Sequence, residues 1–204
     1  MIAIIDSGGA NIASVRFALE RCGVEGVLTS DAQIISSAEK VILPGVGAAP
    51  VAMDKLHEFG LVDCIRALTQ PVLGICLGMQ LLFERSEEGD TPLLGVLPGT
   101  CAAFDPSGGL TVPHMGWNRL LPTEMGGMHP LLQGIAPGAH VYFVHSFAVP
   151  TSDVTLASCN YGSDFTALAG QGNFMGAQFH PERSGPIGAA ILQNFINLPA
   201  DFEG

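Results

Sequence analysis

The sequence is poor in charge, and especially in positive charge. Lysine and arginine together number 8 of 204 residues, against 19 aspartates and glutamates, and the formal net charge is −11. A surface that binds nucleic acid needs clustered basic side chains, and the sequence has no Lys/Arg-rich stretch. The composition therefore argues against a nucleic-acid-binding protein and favours a partner with a basic face.

The charged fraction is 13%, whereas 48% of the residues are hydrophobic. Soluble domains average about 25% charged residues. Either the interior is unusually apolar, or another protein covers part of the surface. This much apolar material can bury a full core, so we predict one domain over residues 1–204.

Long apolar runs are also missing. No segment approaches the roughly eighteen uninterrupted apolar residues of a membrane span. The opening MIAIIDSGG lacks the basic region and cleavage site of a signal peptide. The five cysteines show no CxxC pairing, which indicates free thiols and neither disulfides nor a zinc site. We expect a cytoplasmic protein without membrane contact, metal or cofactor.

Apolar runs alternate with helical patterns as far as Glu88. The predicted strands are MIAIID, VEGVLTS, KVILPGVG and PVLGI. The predicted helices begin at Asn11, span about Asp31 to Ser37, and cover APVAMDKLHEFG, LVDCIRALTQ and LGMQLLFER. Such alternation is typical of a parallel sheet covered on both faces.

After Glu88, short apolar segments are separated by Gly, Pro, Asn and Asp, which predicts hairpins. These segments are LLGVLPGTCAAF, LTVPHMGWNRLLP, HVYFVHSFAVP, VTLASCNYG, FTALAGQG and FMGAQFH, followed by a helix over GPIGAAILQNFINL. The predicted fold is a single α/β domain with a central, largely parallel sheet flanked by helices and an antiparallel C-terminal extension.

Cys76 stands where a predicted strand becomes a helix, between Gly74 and Gly78. This G-x-nucleophile-x-G pattern is that of a nucleophile elbow, whose glycines avoid collisions with the neighbouring strand or helix. The following helix would favour a thiolate and would supply the Leu77 N–H to an oxyanion. The alternative interpretation is that Cys76 is a buried structural cysteine. We interpret the other four cysteines in this way: Cys22, Cys64, Cys101 and Cys159.

His180 is the best candidate for a base. It follows a predicted strand, and the bend at Pro181 could bring the Glu182 carboxylate back onto one ring nitrogen while the other faces the thiol. His145 is the rival base, but no acid stands near it and its apolar strand indicates a core or pocket-lining role. The remaining histidines, interpreted as structural or surface residues, are His57, His114, His129 and His140.

The elbow GxCxGxQ with a downstream HPE resembles the triad (class I) glutamine amidotransferases over the full chain. DSGGANIASV, LPGVGA, PHMGWN and YFVHSF are most similar to the glutaminase subunits of imidazole-glycerol-phosphate synthase, in histidine biosynthesis. The resemblance implies hydrolysis of L-glutamine through a thioester. Cys76 would be the nucleophile, His180 the base and then the acid, and Glu182 the residue that orients it.

The resemblance also implies a substrate site. Gln80 and Glu84, on the helix after the elbow, would support glutamine binding, although they could equally be a surface pair. Tyr142, His145 and Ser146 would hold its amino-acid end. Gly45-Val46-Gly47 would supply the second oxyanion donor once its peptide turns, although PGVG could simply be a tight turn. One missing donor costs about a hundred- to a thousandfold in rate.

The resemblance further implies a heterodimer with a (β/α)8-barrel cyclase that receives the ammonia internally. The residues that would contact it are Asn11, Met115, Trp117, Asn118 and Arg183. A lone tryptophan is otherwise more often a core residue. Ser7 and Ala10 replace the family's usual tyrosine and glycine, and Arg183 replaces its usual lysine.

Three alternatives share parts of this pattern. A glutaminase feeding another pathway should lack PHMGWN, and a stand-alone γ-glutamyl hydrolase or cysteine peptidase would not need a surface depleted of charge. A regulatory pseudo-enzyme would have lost a triad residue, and all three are present.

Overall fold

The computed structural model describes residues 1–6 and 12–203. The predicted cap at Asn11 and the departures at Ser7 and Ala10 lie outside the described residues. Within them, no helix is long and apolar enough to cross a bilayer.

The first part of the chain alternates strands and helices, as predicted. In chain order the elements are β1 (Ile2–Ile5), α1 (Ile12–Arg21), β2 (Gly26–Thr29), α2 (Ala32–Ser37), β3 (Lys40–Gly45), α3 (Ala49–Glu58), α4 (Val62–Arg66), β4 (Val72–Cys76) and α5 (Leu77–Leu81). Local chemistry sets several ends. The Asp31 carboxylate caps α2 by accepting from the N–H groups of Gln33 and Ile34, and Gly23 ends α1 with a φ of 79°.

The later part is mostly strand. Its elements are β5 (Arg85–Ser86), β6 (Thr91–Pro92), β7 (Thr100–Ala103), β8 (His114–Pro122), α6 (Glu124–Met128), β9 (Ala139–His145), β10 (Phe147–Ala148), β11 (Thr155–Tyr161), β12 (Ser163–Gln171), β13 (Phe174–Ala177) and α7 (Gly185–Asn197). The hairpins and the closing helix are confirmed, whereas β5, β6 and α6 escaped prediction.

In the described part of the chain, the main sheet has nine strands in the order β2-β1-β3-β4-β13-β12-β11-β8-β9. The first five are mutually parallel, and each later neighbour pair is antiparallel. A small second sheet has the order β10-β7-β5-β6. The predicted fold class is confirmed. The late strand β13 lies beside β4 and parallel to it. The segment that ends in His180 therefore emerges at the carboxyl ends of the parallel strands, where Cys76 lies.

Two apolar clusters cover the two faces of the parallel strands. Alternate residues of β1 enter opposite clusters: Ile4 packs with Leu19 and Phe195, and Ile5 packs with Ile35 and Leu56. Both faces of these strands are therefore dry, which is why their sequences are continuous apolar runs.

The helix predicted over LGMQLLFER covers only Leu77–Leu81, and the strand predicted over LLGVLPGTCAAF begins only at Thr100. The helix α5 ends at Leu81, and the Glu84 N–H donates to the Gly99 carbonyl. The free carbonyls at the end of α5 accept from the segment Leu93–Leu97, with Leu94 donating to Leu81. Those backbone bonds replace both the further helical turns and the predicted strand.

Candidate active site

The elbow at Cys76 has the strained backbone that its glycines predict. Cys76 has φ 55° and ψ −113°, a region that non-glycine residues rarely adopt. A Cβ on Gly78 would lie 1.8 Å from the Leu43 carbonyl oxygen, and one on Gly74 would lie 2.5 Å from the Gly78 oxygen. Close backbone packing therefore holds the sulfur at the sheet edge, and the predicted reason for the flanking glycines is confirmed.

His180 and Glu182 meet as the bend at Pro181 predicts. Ala177 pairs with Ile75 across the parallel strands, so the chain after β13 emerges beside Cys76. A short 3-10 turn over Pro181–Arg183 then brings Glu182 Oε1 within 2.8 Å of His180 Nδ1. His180 also makes a side-chain hydrogen bond with Cys76.

The His180 ring is positively charged at neutral pH. Burial alone would lower the pKa of His180, but the hydrogen bonds and charges of Cys76 and Glu182 outweigh it and raise that pKa to about 10. A buried imidazole that contacts both a thiol and a carboxylate is placed to exchange a proton with the nucleophile and with a leaving group.

A cavity of about 510 Å³ opens over the sulfur. Cys76, Leu77 and His180 lie in its wall, as do the substrate candidates Gln80, His145 and Ser146. Glu84, Tyr142 and Gly45 do not belong to the described wall. The volume falls in the range of small-molecule sites.

The candidate oxyanion donors face this cavity. Leu77 begins α5, where backbone N–H groups have no helical partner. Val46 and Gly47 also line the cavity. Gly47 has φ 96° and open space around its Cβ position, whereas a Cβ on Gly45 would lie 2.6 Å from the Gly78 nitrogen. The loop is thus pressed against the elbow at Gly45 and unobstructed at Gly47.

Gln80 is a buried wall residue and not half of a surface pair. Its Nε2 donates to the Phe147 carbonyl and to Gln178 Oε1, both at 2.9 Å. Glu84 is exposed and accepts from the Gly99 N–H at 2.9 Å. Its predicted place on the helix was wrong because the chain leaves the helix after Leu81.

The backbone of Tyr142 is hydrogen-bonded to the segment that carries the candidate base, His180. Its carbonyl accepts from the His180 N–H at 2.9 Å, and its N–H donates to Ser184 Oγ at 2.9 Å. The Tyr142 ring packs edge-on against Trp117. In this structure Tyr142 therefore positions the His180 segment through its backbone.

His145 is buried and lines the cavity, in agreement with its pocket-lining interpretation. Its Nδ1 is 2.8 Å from the Phe147 carbonyl, and its Nε2 is 3.0 Å from His114 Nδ1. Burial lowers the pKa of His145 to about 3, so the ring is neutral. Because both of its nitrogens are occupied, it is a poor candidate for the base.

Sequence reasoning missed three side chains at the site. Glu88 lines the cavity and its carboxylate caps α3 by accepting from the Ala49 N–H at 2.7 Å. Gln178 is fully buried, with its Nε2 4.0 Å from Cys76 Sγ, and His114 contacts His145. An amide inside an apolar run, as in GAQFH, signals a buried hydrogen bond. No comparable signal marks Glu88 or His114.

The interface candidates divide between the two faces of β8. Met115 and Trp117 are 62% and 56% exposed on the outer face. Asn118 points to the other face and donates to the Asn160 carbonyl at 3.0 Å. Arg183 lies in the cavity wall, and Asn11 lies outside the described residues.

This fold and this elbow match one class of proteins. Residues 3–198 match the family model described as "Glutamine amidotransferase class-I". The chain belongs to the class-I glutamine amidotransferase family. Solved structures agree on the fold: a glutamine amidotransferase aligns with a TM-score of 0.71 at 19% identity, covering 96% of each chain. The glutaminase domain of Trypanosoma brucei CTPS aligns with a TM-score of 0.65 at 15% identity, covering 96% of this chain and 93% of that one.

Curated relatives show which members of this family the chain is similar to over its full length. The imidazole glycerol phosphate synthase subunit HisH of Xylella fastidiosa strain Temecula1 is 54% identical over 199 residues, covering 98% of each chain. The protein of the same name from Xanthomonas euvesicatoria pv. vesicatoria is 53% identical over 197 residues, covering 97% of each chain.

Proposed function

We propose that this chain is the glutaminase subunit of an imidazole glycerol phosphate synthase and hydrolyses glutamine to glutamate and ammonia. The observation that carries this proposal is the contact of Cys76, His180 and Glu182 at a strained elbow that opens on a cavity. Full-length identity above 50% to synthase subunits named HisH supports the particular assignment.

The sulfur of Cys76 attacks the side-chain amide carbon of glutamine. The resulting oxyanion accepts from the Leu77 N–H and from a turned peptide of the Val46-Gly47 loop. Protonated His180 gives its proton to the departing nitrogen, which leaves as ammonia. His180 then takes a proton from water, and the hydroxide formed cleaves the thioester to glutamate. Glu182 holds the orientation of the ring throughout and stabilises its charge whenever His180 is protonated.

The cavity wall suits an amino acid. Gln80 and Ser146 supply polar groups, as the resemblance implies, whereas the His145 ring lines the wall with both nitrogens already hydrogen-bonded. Glu88 is the single acidic side chain in the described wall, which suits the ammonium group of glutamine. Glu84 and Tyr142 lie outside that wall, so we assign them an indirect role, in which they support the residues that contact glutamine.

The partner is a (β/α)8-barrel cyclase, with which the chain forms a heterodimer. The exposed Met115 and Trp117 support this assignment, because large apolar side chains on a surface mark interaction sites. Arg183 and Asn11 belong to the same proposed contact, and Asn118 supports it from the inner face of β8. The whole chain, 1–204, acts as one amidotransferase domain in the cytoplasm, where its five cysteines stay reduced.

The test is to co-express the chain with a candidate barrel cyclase and to follow glutamate release. Stable co-purification and release that disappears in Cys76→Ala are expected, with Cys101→Ala as a control for loss of a buried thiol. The PGVG loop is unobstructed at Gly47, so its peptide can turn into the oxyanion-donor orientation when a partner docks. We therefore expect the free chain, without that partner, to be a poor glutaminase. Equal turnover by the free chain would refute partner activation, and copurification without Cys76-dependent release would refute the glutaminase assignment.

A further inference from the structure

Two buried histidines lie outside the proposed chemistry. His114 on β8 is paired with His145 on β9 across an antiparallel ladder, and both rings are buried. His114 stacks between Phe143 and Tyr161, with centroids 4.9 and 4.0 Å away. Phe104 and Phe165 approach both imidazoles. We call Phe104, Phe143, Tyr161 and Phe165 the aromatic cage.

The hydrogen bonds inside this cage have only one consistent direction. The Phe147 carbonyl can only accept, so His145 Nδ1 carries a proton. Burial lowers the pKa of His145 to about 3 and of His114 to about 4, so both rings are neutral and each has one donor and one acceptor. His145 Nε2 therefore accepts from His114 Nδ1–H at 3.0 Å. His114 Nε2 then accepts from the Asn118 amide at 3.3 Å.

The Phe147 carbonyl connects this series of hydrogen bonds to the cavity wall. Phe147 O also accepts from Gln80 Nε2, which donates in turn to Gln178 Oε1. Gln178 Nε2 then points at Cys76 Sγ from 4.0 Å. A continuous set of polar contacts thus runs from β8, whose outer face carries Trp117, to the sulfur.

We propose that His114 is a positioning residue for glutamine binding, acting through its Nδ1–H bond to His145. The bond fixes the His145 ring, and with it the Phe147 carbonyl and the Gln80 amide in the cavity wall. The aromatic cage holds His114 in the orientation that this bond requires and keeps water away from it. The proposal rests on the glutaminase function given above.

Two substitutions separate the hydrogen bond from the packing. His114→Phe keeps an aromatic ring in the cage but loses the donor, and leaves His145 Nε2 buried without a partner. His114→Asn loses the ring but keeps an amide donor at the position of Nδ1. Losing one buried hydrogen bond changes a binding constant about five- to fiftyfold.

Both variants are assayed for glutamate release in complex with the cyclase. The Cys76→Ala complex gives the background rate that does not depend on Cys76. We expect His114→Phe to raise KM for glutamine about tenfold with kcat within threefold of wild type, and His114→Asn to stay within about threefold on both. The proposal is wrong if His114→Phe leaves KM unchanged, if the loss falls on kcat alone, or if Asn raises KM as much as Phe does. Absence of Cys76-dependent release in wild type would instead refute the glutaminase function.

A second measurement needs no variant. In wild-type protein labelled with ¹⁵N-histidine, NMR should find His114 and His145 neutral at pH 7, each protonated on Nδ1. Resonances are assigned with His145→Gln and with the His114 variant that folds. Protonation of either ring on Nε2, or on both nitrogens, would overturn the proposal.

Discussion

The parallel and antiparallel halves of the sheet are built differently. The parallel strands β1, β3, β4 and β13 are buried along their whole length, whereas β8 alternates between buried and exposed residues. Backbone packing without side chains, as at Gly74 and Gly78, holds the nucleophile on the parallel half. The antiparallel half supplies the wall residues His145 and Ser146 and carries an exposed apolar surface on its outer face. The nucleophile and the exposed apolar surface therefore lie on different parts of one sheet.

The largest expected effect comes from breaking the triad at the end of the parallel half. Glu182→Gln keeps the shape of the side chain but removes the charge that orients and stabilises protonated His180. We expect kcat for glutamine hydrolysis to fall about a thousandfold or more, by analogy with carboxylate-to-amide changes in other triads. Steady-state glutamate release measures it, with Glu58→Gln, an exposed carboxylate of α3 that pairs with Lys55, as the matched control. A fall of less than tenfold would contradict the role of Glu182.

The charge on His180 should also appear in the pH dependence of stability. Its pKa is about 10 in the folded chain and 6.5 by reference, so folding favours the protonated ring. This contribution is fully present below about pH 6.5 and is lost as pH rises through about 10, a change on the order of a few kcal/mol. Urea unfolding across this range should give wild type a steeper loss of stability than His180→Gln. Parallel curves for the two proteins would contradict a raised pKa.

The close packing behind the elbow predicts a large stability effect at Gly78. In Gly78→Ala the new methyl would overlap the Leu43 carbonyl, and the expected loss is about 3 kcal/mol of unfolding free energy. Gly127→Ala, on α6 of the antiparallel half, is the matched control because nothing lies within 4 Å of its Cβ position. That substitution should stabilise the protein by about 0.5–1 kcal/mol through helix propensity. Urea unfolding of both variants decides, and similar effects of the two changes would refute the packing argument.

The outer face of β8 should matter for binding and little for folding. Trp117→Ala is expected to weaken the complex by about 2 kcal/mol, or about thirtyfold in Kd, while changing the stability of the free chain by less than about 1 kcal/mol. Titration with the cyclase measures the first quantity and thermal unfolding the second. Met128→Ala, also strongly exposed but distant in sequence from PHMGWN, is the control. Unchanged affinity in Trp117→Ala would place the partner elsewhere.

The sequence predicted the parallel half better than the details of the site. Continuous apolar runs and the glycines around Cys76 are local signals, and both correspond to what the structure contains. The end of α5 was missed because Leu94 and Gly99, from a later segment, pair with its last turn and with Glu84. Helical periodicity carries no trace of such tertiary backbone bonds.

The histidines show the same limit. His180 was recognisable because Pro181 and Glu182 follow it directly. His114 has no such neighbours and its partner, His145, is 31 positions away, so the sequence indicates only a structural or surface residue. Only the pairing of β8 with β9 brings the two rings together, and nothing in the residues around His114 indicates that pairing.

The most direct test of the account is to trap the covalent intermediate. The complex is mixed with glutamine, quenched in acid within the first turnover, digested and examined by mass spectrometry. We predict one γ-glutamyl group, labile to hydroxylamine, on the peptide that contains Cys76. An unmodified Cys76 peptide during rapid glutamate release, or a γ-glutamyl group on another cysteine, would contradict the account.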